Sequence, residues 1–122
     1  MKKIQAIRGA VCSENTREAI ISNVCEMCNQ IFMQNMLLSE DLVSIQFSVT
    51  KDITKLNPAS ALRLGNTCID VRDCALFCCQ EAEIEGGMNN VIRVMVTAYL
   101  ENKEKTNIYL NGAEKLRPDY IK

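Results

Sequence analysis

Val91-Ile92-Arg93-Val94-Met95-Val96-Thr97-Ala98-Tyr99-Leu100 is a run of aliphatic and β-branched residues with a single charge inside it. β-Branched side chains fit extended backbone better than helix, because χ1 is crowded against the preceding helical turn. The run therefore predicts an interior strand, and Gly86-Gly87 breaks the chain ahead of it. A guanidinium held in such a setting without a counter-charge costs several kcal/mol. Arg93 thus requires an anion, either an internal carboxylate from Glu81, Glu83 or Glu85 or a bound ligand.

Outward from this strand the chain is punctuated clearly. Cys74 to Cys79 is continuously apolar and predicts a central strand buried on both faces, with Glu81 just past its end. Leu42 to Val49 alternates, which sends Val43, Ile45, Phe47 and Val49 to one face and Ser44, Gln46 and Ser48 to the other. Lys3 to Val11 suits a first strand that closes in a turn at Arg8-Gly9-Ala10. From Asn15 the apolar spacing becomes three and four, through Ile20, Ile21, Val24, Cys28, Ile31 and Phe32, and predicts a helix of about five turns ending near Asn35 or Met36. Asn15 and Glu18 have the spacing of a capping box. A short second helix starts with Asn57 as N-cap and Pro58 at its first position and stops at Gly65. After a charged turn, Ile108-Tyr109-Leu110 is a short strand, Asn111-Gly112 a turn, and residues 111–122 a C-terminal tail. The order of strand, long helix, strand, short helix and three strands predicts a single α+β domain over 1–122, a mixed β-sheet with one long and one short helix on one face.

Composition narrows the function. The 122 residues suffice for one core, with roughly two-thirds of the unfolded surface buried. Fourteen Lys and Arg against fifteen Asp and Glu leave a net charge of -1, so there is no basic stripe for nucleic acid or an anionic membrane. The N-terminus lacks the apolar core of a signal peptide, and no apolar stretch approaches the roughly 20 residues of a membrane span, so a cytoplasmic location is expected. Seven cysteines in such a chain read as reduced thiols. Cys25-x-x-Cys28 is half of a zinc pattern, but no second pair follows and the chain has no His. The thiols instead suit the buried side of a helix, and no metal is expected.

The absence of His also removes the usual general base and the usual activator of Ser or Cys. Gly86-Gly87 lacks the spacing of a phosphate loop, so nucleotide use is not indicated and no cofactor is expected. What remains is a set of arginines. Arg8 lies where an apolar strand reaches a glycine, Arg63 on the short helix, Arg117 beside Pro118, and Tyr109 within the last strand. Each has a plain reading as a surface or packing residue. Together with Arg93 they suit a substrate with two carboxylates, which guanidinium forks bind bidentately.

Ile7-Arg8-Gly9-Ala10, Cys78-Cys79-Gln80-Glu81, Gly86-Gly87 followed by Ile92-Arg93-Val94-Met95, Tyr109-Leu110 and Leu116-Arg117-Pro118-Asp119 resemble, in order and separation, the trimeric chorismate mutases of the Bacillus type. Asn57-Pro58-Ala59 with Arg63 matches that pattern in part. The resemblance implies a ferredoxin-like subunit, three of which form a pseudo-barrel homotrimer with active sites at the interfaces. It also implies the rearrangement of chorismate to prephenate, on the route to phenylalanine and tyrosine. By carry-over Arg93 donates to the ether oxygen and the side-chain carboxylate, and Arg8 and Tyr109 grip that carboxylate. Glu81 and the Cys78 position hold the ring hydroxyl, Arg63 helps at the ring carboxylate, Ala59 joins the substrate-binding set, and Arg117 closes the entrance.

A concerted rearrangement has no obligatory proton transfer or covalent intermediate, which agrees with a site lacking His. The chain departs from the family at Asn57, where an aromatic is usual, and at Ser60, where a lysine is usual; a raised KM is expected from the lost cation. Residues 66–73 form a longer segment than the family's counterpart. Two other classes fit the arginine set: a catalytically silent trimeric binder of a carboxylate metabolite, and an enamine or imine deaminase, which the Cys-Cys-Gln-Glu and Leu-Arg-Pro-Asp fragments fit poorly.

Overall fold

Alternation from Val91 to Leu100 builds the middle strand of a five-stranded sheet in the computed structural model, which describes residues 1–101 and 104–120. In chain order the elements are β1 (Lys3–Cys12), α1 (Arg17–Gln34), β2 (Leu42–Val49), α2 (Pro58–Leu64), β3 (Ala75–Gln80), β4 (Val91–Leu100) and β5 (Ile108–Leu110). The sheet order is β3-β2-β4-β1-β5. β4 pairs antiparallel with both β1 and β2, whereas the outer strands β3 and β5 are parallel to their neighbours. The sheet is mixed, as the element order predicts.

Both helices cover one face. Ile20, Val24, Met27, Cys28, Ile31 and Phe32 of α1 meet Ile7, Val11, Ile45, Phe47, Ile92, Val94 and Val96 of the sheet, all buried, and Ala61 and Leu62 of α2 extend that core. Cys25 and Cys28 lie in the same core, and burial pushes both thiols up, so they pack as small hydrophobes. Side chains at alternate positions of the strands go to the other face, which neither α1 nor α2 covers.

Four local expectations are corrected. β1 does not turn at Arg8-Gly9-Ala10 but runs through to Cys12. Position 9 lies mid-strand and holds glycine because a Cβ there would lie 2.9 Å from both Ile31 Cδ1 and Val94 Cγ1 and 3.1 Å from the Ile108 carbonyl. The cap of α1 is Thr16, whose hydroxyl accepts from the Ala19 N–H at 3.1 Å. Asn15 instead accepts from the N–H groups of Thr54 and Lys55, at 2.9 and 3.0 Å, tying down the loop ahead of α2. A register shift between Leu42 and Ser44 puts Val43 outward, although Ile45 and Phe47 face in. Finally, β3 is an edge strand and not a central one: Leu76 and Cys78 pack inward, but Phe77 is 62% exposed.

Asn57 caps α2 by accepting the Ala59 N–H at 2.8 Å. Residues 66–73 are pinned to α1 by Asn29, which donates to the Asn66 carbonyl at 3.0 Å and accepts from the Cys68 N–H at 2.9 Å. Residues 102–103 of the charged turn and 121–122 of the tail lie outside the described residues.

Candidate active site

The strand register writes the site. One row across the face opposite α1 and α2 reads Tyr109, Ala10, Arg93, Ser48, Cys79, one residue from each strand from β5 to β3. The next row on that face reads Arg8, Met95, Gln46, Phe77. Arg8, Gln46, Ser48, Cys79, Arg93, Tyr109 and Arg117 line one concavity of about 400 Å³. Five strands and the tail contribute to it.

Arg93 sits at the middle of this face, on the strand most constrained by its neighbours. Its Nε lies 2.7 Å from Glu81 Oε1. That nitrogen is inaccessible to solvent, and its N–H is aligned on no acceptor among the described residues, so the contact is an ion pair without hydrogen-bond geometry. Of the three acidic residues that sequence offered as internal partners, Glu81 is the one used; Glu83 pairs with Lys51 at 2.6 Å. Glu81 follows directly on β3, and its N–H donates to the Val49 carbonyl at 2.8 Å. The Ser48 hydroxyl donates to Glu81 Oε1 at 2.9 Å.

Arg8 is held through its backbone, whose N–H donates to Asn107 Oδ1 at 2.8 Å. Tyr109 is buried in a small second core with Ala10, Val91 and Ala113, against Cys12, Met88 and Leu116. The turn beyond it needs left-handed backbone at Asn111 and Gly112, with φ of 53° and 96°, which Asn and Gly tolerate best. Two single turns of 3₁₀ helix, Ala113–Leu116 and Pro118–Tyr120, then bring Arg117 to the concavity. Arg117 donates to Asp119 from Nε at 3.1 Å and Nη2 at 2.8 Å. These bonds, with the charge of Arg8 adding to them, hold the Asp119 carboxyl below its usual range.

Not all of the sequence-predicted residues meet here. Arg63 is exposed on α2, its Nη2 donating to Ser60 Oγ at 3.3 Å, and Ala59 is buried in the helix-side core at 5% exposure. Both belong to the layer on the opposite face of the same chain's sheet. Cys78 also packs toward the helices, where burial pushes its thiol up, and it is Cys79 that lies on the row with Arg93. Sequence reading did not single out Gln46, Ser48 or Cys79. The signal for the first two was present in the alternation of β2, whose polar set must lie opposite its apolar one.

A second, more open hollow of about 970 Å³ adjoins the first at Arg93 and is bounded by the loop from Glu81 to Asn89 and by Lys115. No group of three or more metal-ligating side chains occurs among the described residues. No helix among them is long and apolar enough to cross a membrane. Chemically, Arg8, Arg93 and Arg117 with Tyr109 suit a small dianionic molecule, and Glu81 supplies an acceptor for a hydroxyl.

The family model for chorismate mutase type I matches residues 4–120 of the chain. Chorismate mutase AroH of Bacillus subtilis (strain 168) is 32% identical over 121 residues, covering 95% of this chain and 91% of that protein. Chorismate mutase AroH of Thermus thermophilus is 32% identical over 120 residues, with 95% of each covered. Among solved structures, a chorismate mutase from Clostridium thermocellum superposes with a TM-score of 0.80 at 33% identity, over 91% of this chain and 98% of that one.

Proposed function

The chain belongs to the chorismate mutase type I family, and from that premise we propose that it converts chorismate to prephenate in the concavity centred on Arg93. The reaction breaks one C–O bond and forms one C–C bond within a single molecule, and partial negative charge gathers on the ether oxygen as it proceeds. A preorganised donor aimed at that oxygen stabilises the transition state more than the ground state. Arg93 is that donor. One such donor is worth about 3 kcal/mol, or roughly two orders of magnitude in rate.

The remaining residues restrain the substrate in the compact chair that the bond shift needs. Arg8 and Tyr109 grip the side-chain carboxylate, and Glu81 accepts from the ring hydroxyl with the backbone at Cys78 beside it. Arg117 closes the entrance. Arg63 and Ala59 meet the ring carboxylate from a neighbouring subunit of a homotrimer. Support for the last point is their placement on the layer opposite Arg93 in their own chain, and the exposed Phe77 on edge strand β3. The protein acts in the cytoplasm as one mutase domain, without cofactor.

The observation that carries this reading is the convergence of Arg8, Arg93, Tyr109 and Arg117 on one hollow, with Glu81 paired to Arg93. The test is the loss of chorismate absorbance on adding purified protein without metal or cofactor. Prephenate should form, and Arg93→Ala should abolish it; sedimentation should return three subunits. Unchanged chorismate would refute the assignment.

A further inference from the structure

The geometry points to Ser48 as a positioning residue for this reaction, one that orients the Glu81 carboxylate and limits its hold on Arg93. The inference rests on the mutase reading above. Its origin is the sharing of a single oxygen: Ser48 Oγ donates to Glu81 Oε1 at 2.9 Å, and Arg93 Nε lies 2.7 Å from the same Oε1. Neither contact uses Oε2.

The two partners differ in how firmly they are held. Ser48 is near the end of β2, paired with Arg93 on β4 and with Cys79 on β3, so ladders on both sides fix its backbone. Glu81 lies one residue beyond β3 and opens an exposed loop, tied by its N–H to Val49. A carboxylate facing a guanidinium tends toward the two-bond fork. Here the fork is not made, since the Arg93 Nε–H is not aligned on Oε1. The serine hydroxyl occupies that oxygen from the β2 side and keeps the carboxylate turned. Oε2 is thereby left for a substrate hydroxyl, and Arg93 keeps donors for the ether oxygen. Without the hydroxyl the carboxylate rotates into the fork, which removes the hydroxyl acceptor and neutralises the donor.

Ser48→Ala is expected to lower kcat/KM by at least about tenfold, the lower end of the scale for one hydrogen bond to a charged group. Ser48→Thr and Ser48→Val, which have nearly the same shape, both suit a strand and separate the hydroxyl from packing. Threonine should recover most of the loss and valine none of it. In a Glu81→Ala background, Ser48→Ala should change kcat/KM, and the affinity for prephenate measured by calorimetry, by less than about twofold, because the residue it positions is gone. Unfolding midpoints of all variants check that the sheet is intact. Full activity in Ser48→Ala, equal activity of the threonine and valine variants, or equal losses in both backgrounds would each overturn the proposal. A parent protein that leaves chorismate untouched would overturn the mutase reading instead.

Discussion

Asn35 and Thr106 exchange two hydrogen bonds: the Thr106 N–H donates to Asn35 Oδ1 at 2.7 Å, and Asn35 Nδ2 donates to the Thr106 carbonyl at 2.9 Å. The same Nδ2 reaches the Ile31 carbonyl at 2.8 Å, so one buried amide closes the end of α1 and anchors the chain just ahead of β5. Tyr109 is three residues further on. Asn35→Ala takes the partner from both the N–H and the carbonyl of Thr106, while the Ile31 carbonyl keeps the backbone N–H of residue 35, and the expected cost is about 1–3 kcal/mol. Urea unfolding measures that loss. KM should rise with it, because β5 carries Tyr109 to the concavity.

Arg93→Lys keeps the charge but not the planar fork. The expected fall in kcat is roughly a hundredfold, with KM changed far less. Steady-state assay on chorismate decides the point, and turnover at the parent rate would remove Arg93 from the mechanism.

Gly9→Ala should destabilise the fold by about 1–3 kcal/mol through overpacking. The added methyl meets side chains of Ile31 and Val94 at 2.9 Å, but also the Ile108 carbonyl at 3.1 Å, which cannot turn aside without moving β5. Thermal unfolding is the measurement. A midpoint equal to the parent's would mean that β5 yields more easily than its pairing suggests.

Asp41 gives the fold an acid-sensitive element. Burial alone would raise its carboxyl, but the Lys2 ammonium at 2.6 Å and the Leu38 N–H at 2.8 Å outweigh this and hold it below the ordinary aspartate value. A depressed folded pKa contributes stability above the unfolded value, near pH 4, and loses it as pH falls through the folded one. Unfolding free energy should therefore drop as pH falls from about 5 through the unfolded aspartate value and on below it. In Asp41→Asn that part of the slope should vanish. An unchanged slope in the variant would place the acid sensitivity elsewhere.

The pH dependence of catalysis should look different. There is no His in the chain and no proton to move in the rearrangement, so kcat should stay within about twofold from pH 6 to 8. A bell-shaped profile at saturating chorismate would require a titrating group that this mechanism does not have.

The sequence was most legible where a local rule has a single outcome. Asn57-Pro58 fixed the start of α2, Asn111-Gly112 the turn after β5, and the apolar run around Arg93 a strand inside the sheet. It was least legible where tertiary context decides. The run from Cys74 to Cys79 is as apolar as a central strand, yet β3 takes the edge, because an apolar run states that a face wants cover without saying what supplies it. Thr16 and Asn15 are both good caps one residue apart, and only the pull of Asn15 on Thr54 and Lys55 separates them. Gly9 resembles a turn residue but is small to admit α1. For the site, the need of Arg93 for a counter-charge was readable and its use of Glu81 was not, since register is a property of paired strands.

Because β4 lies between β1 and β2, the groups around Arg93 come from both ends of the chain and from strands that pair only over long sequence separations. Such pairings pay their loop-closure entropy before they gain contacts, and they form late. A partly refolded chain with α1 in place but β1 and β5 unpaired would have helical circular dichroism and no means of holding a dianion. Recovery of turnover after dilution from denaturant should therefore lag recovery of helix, which makes the enzyme's own reaction a clock for the closing of its sheet.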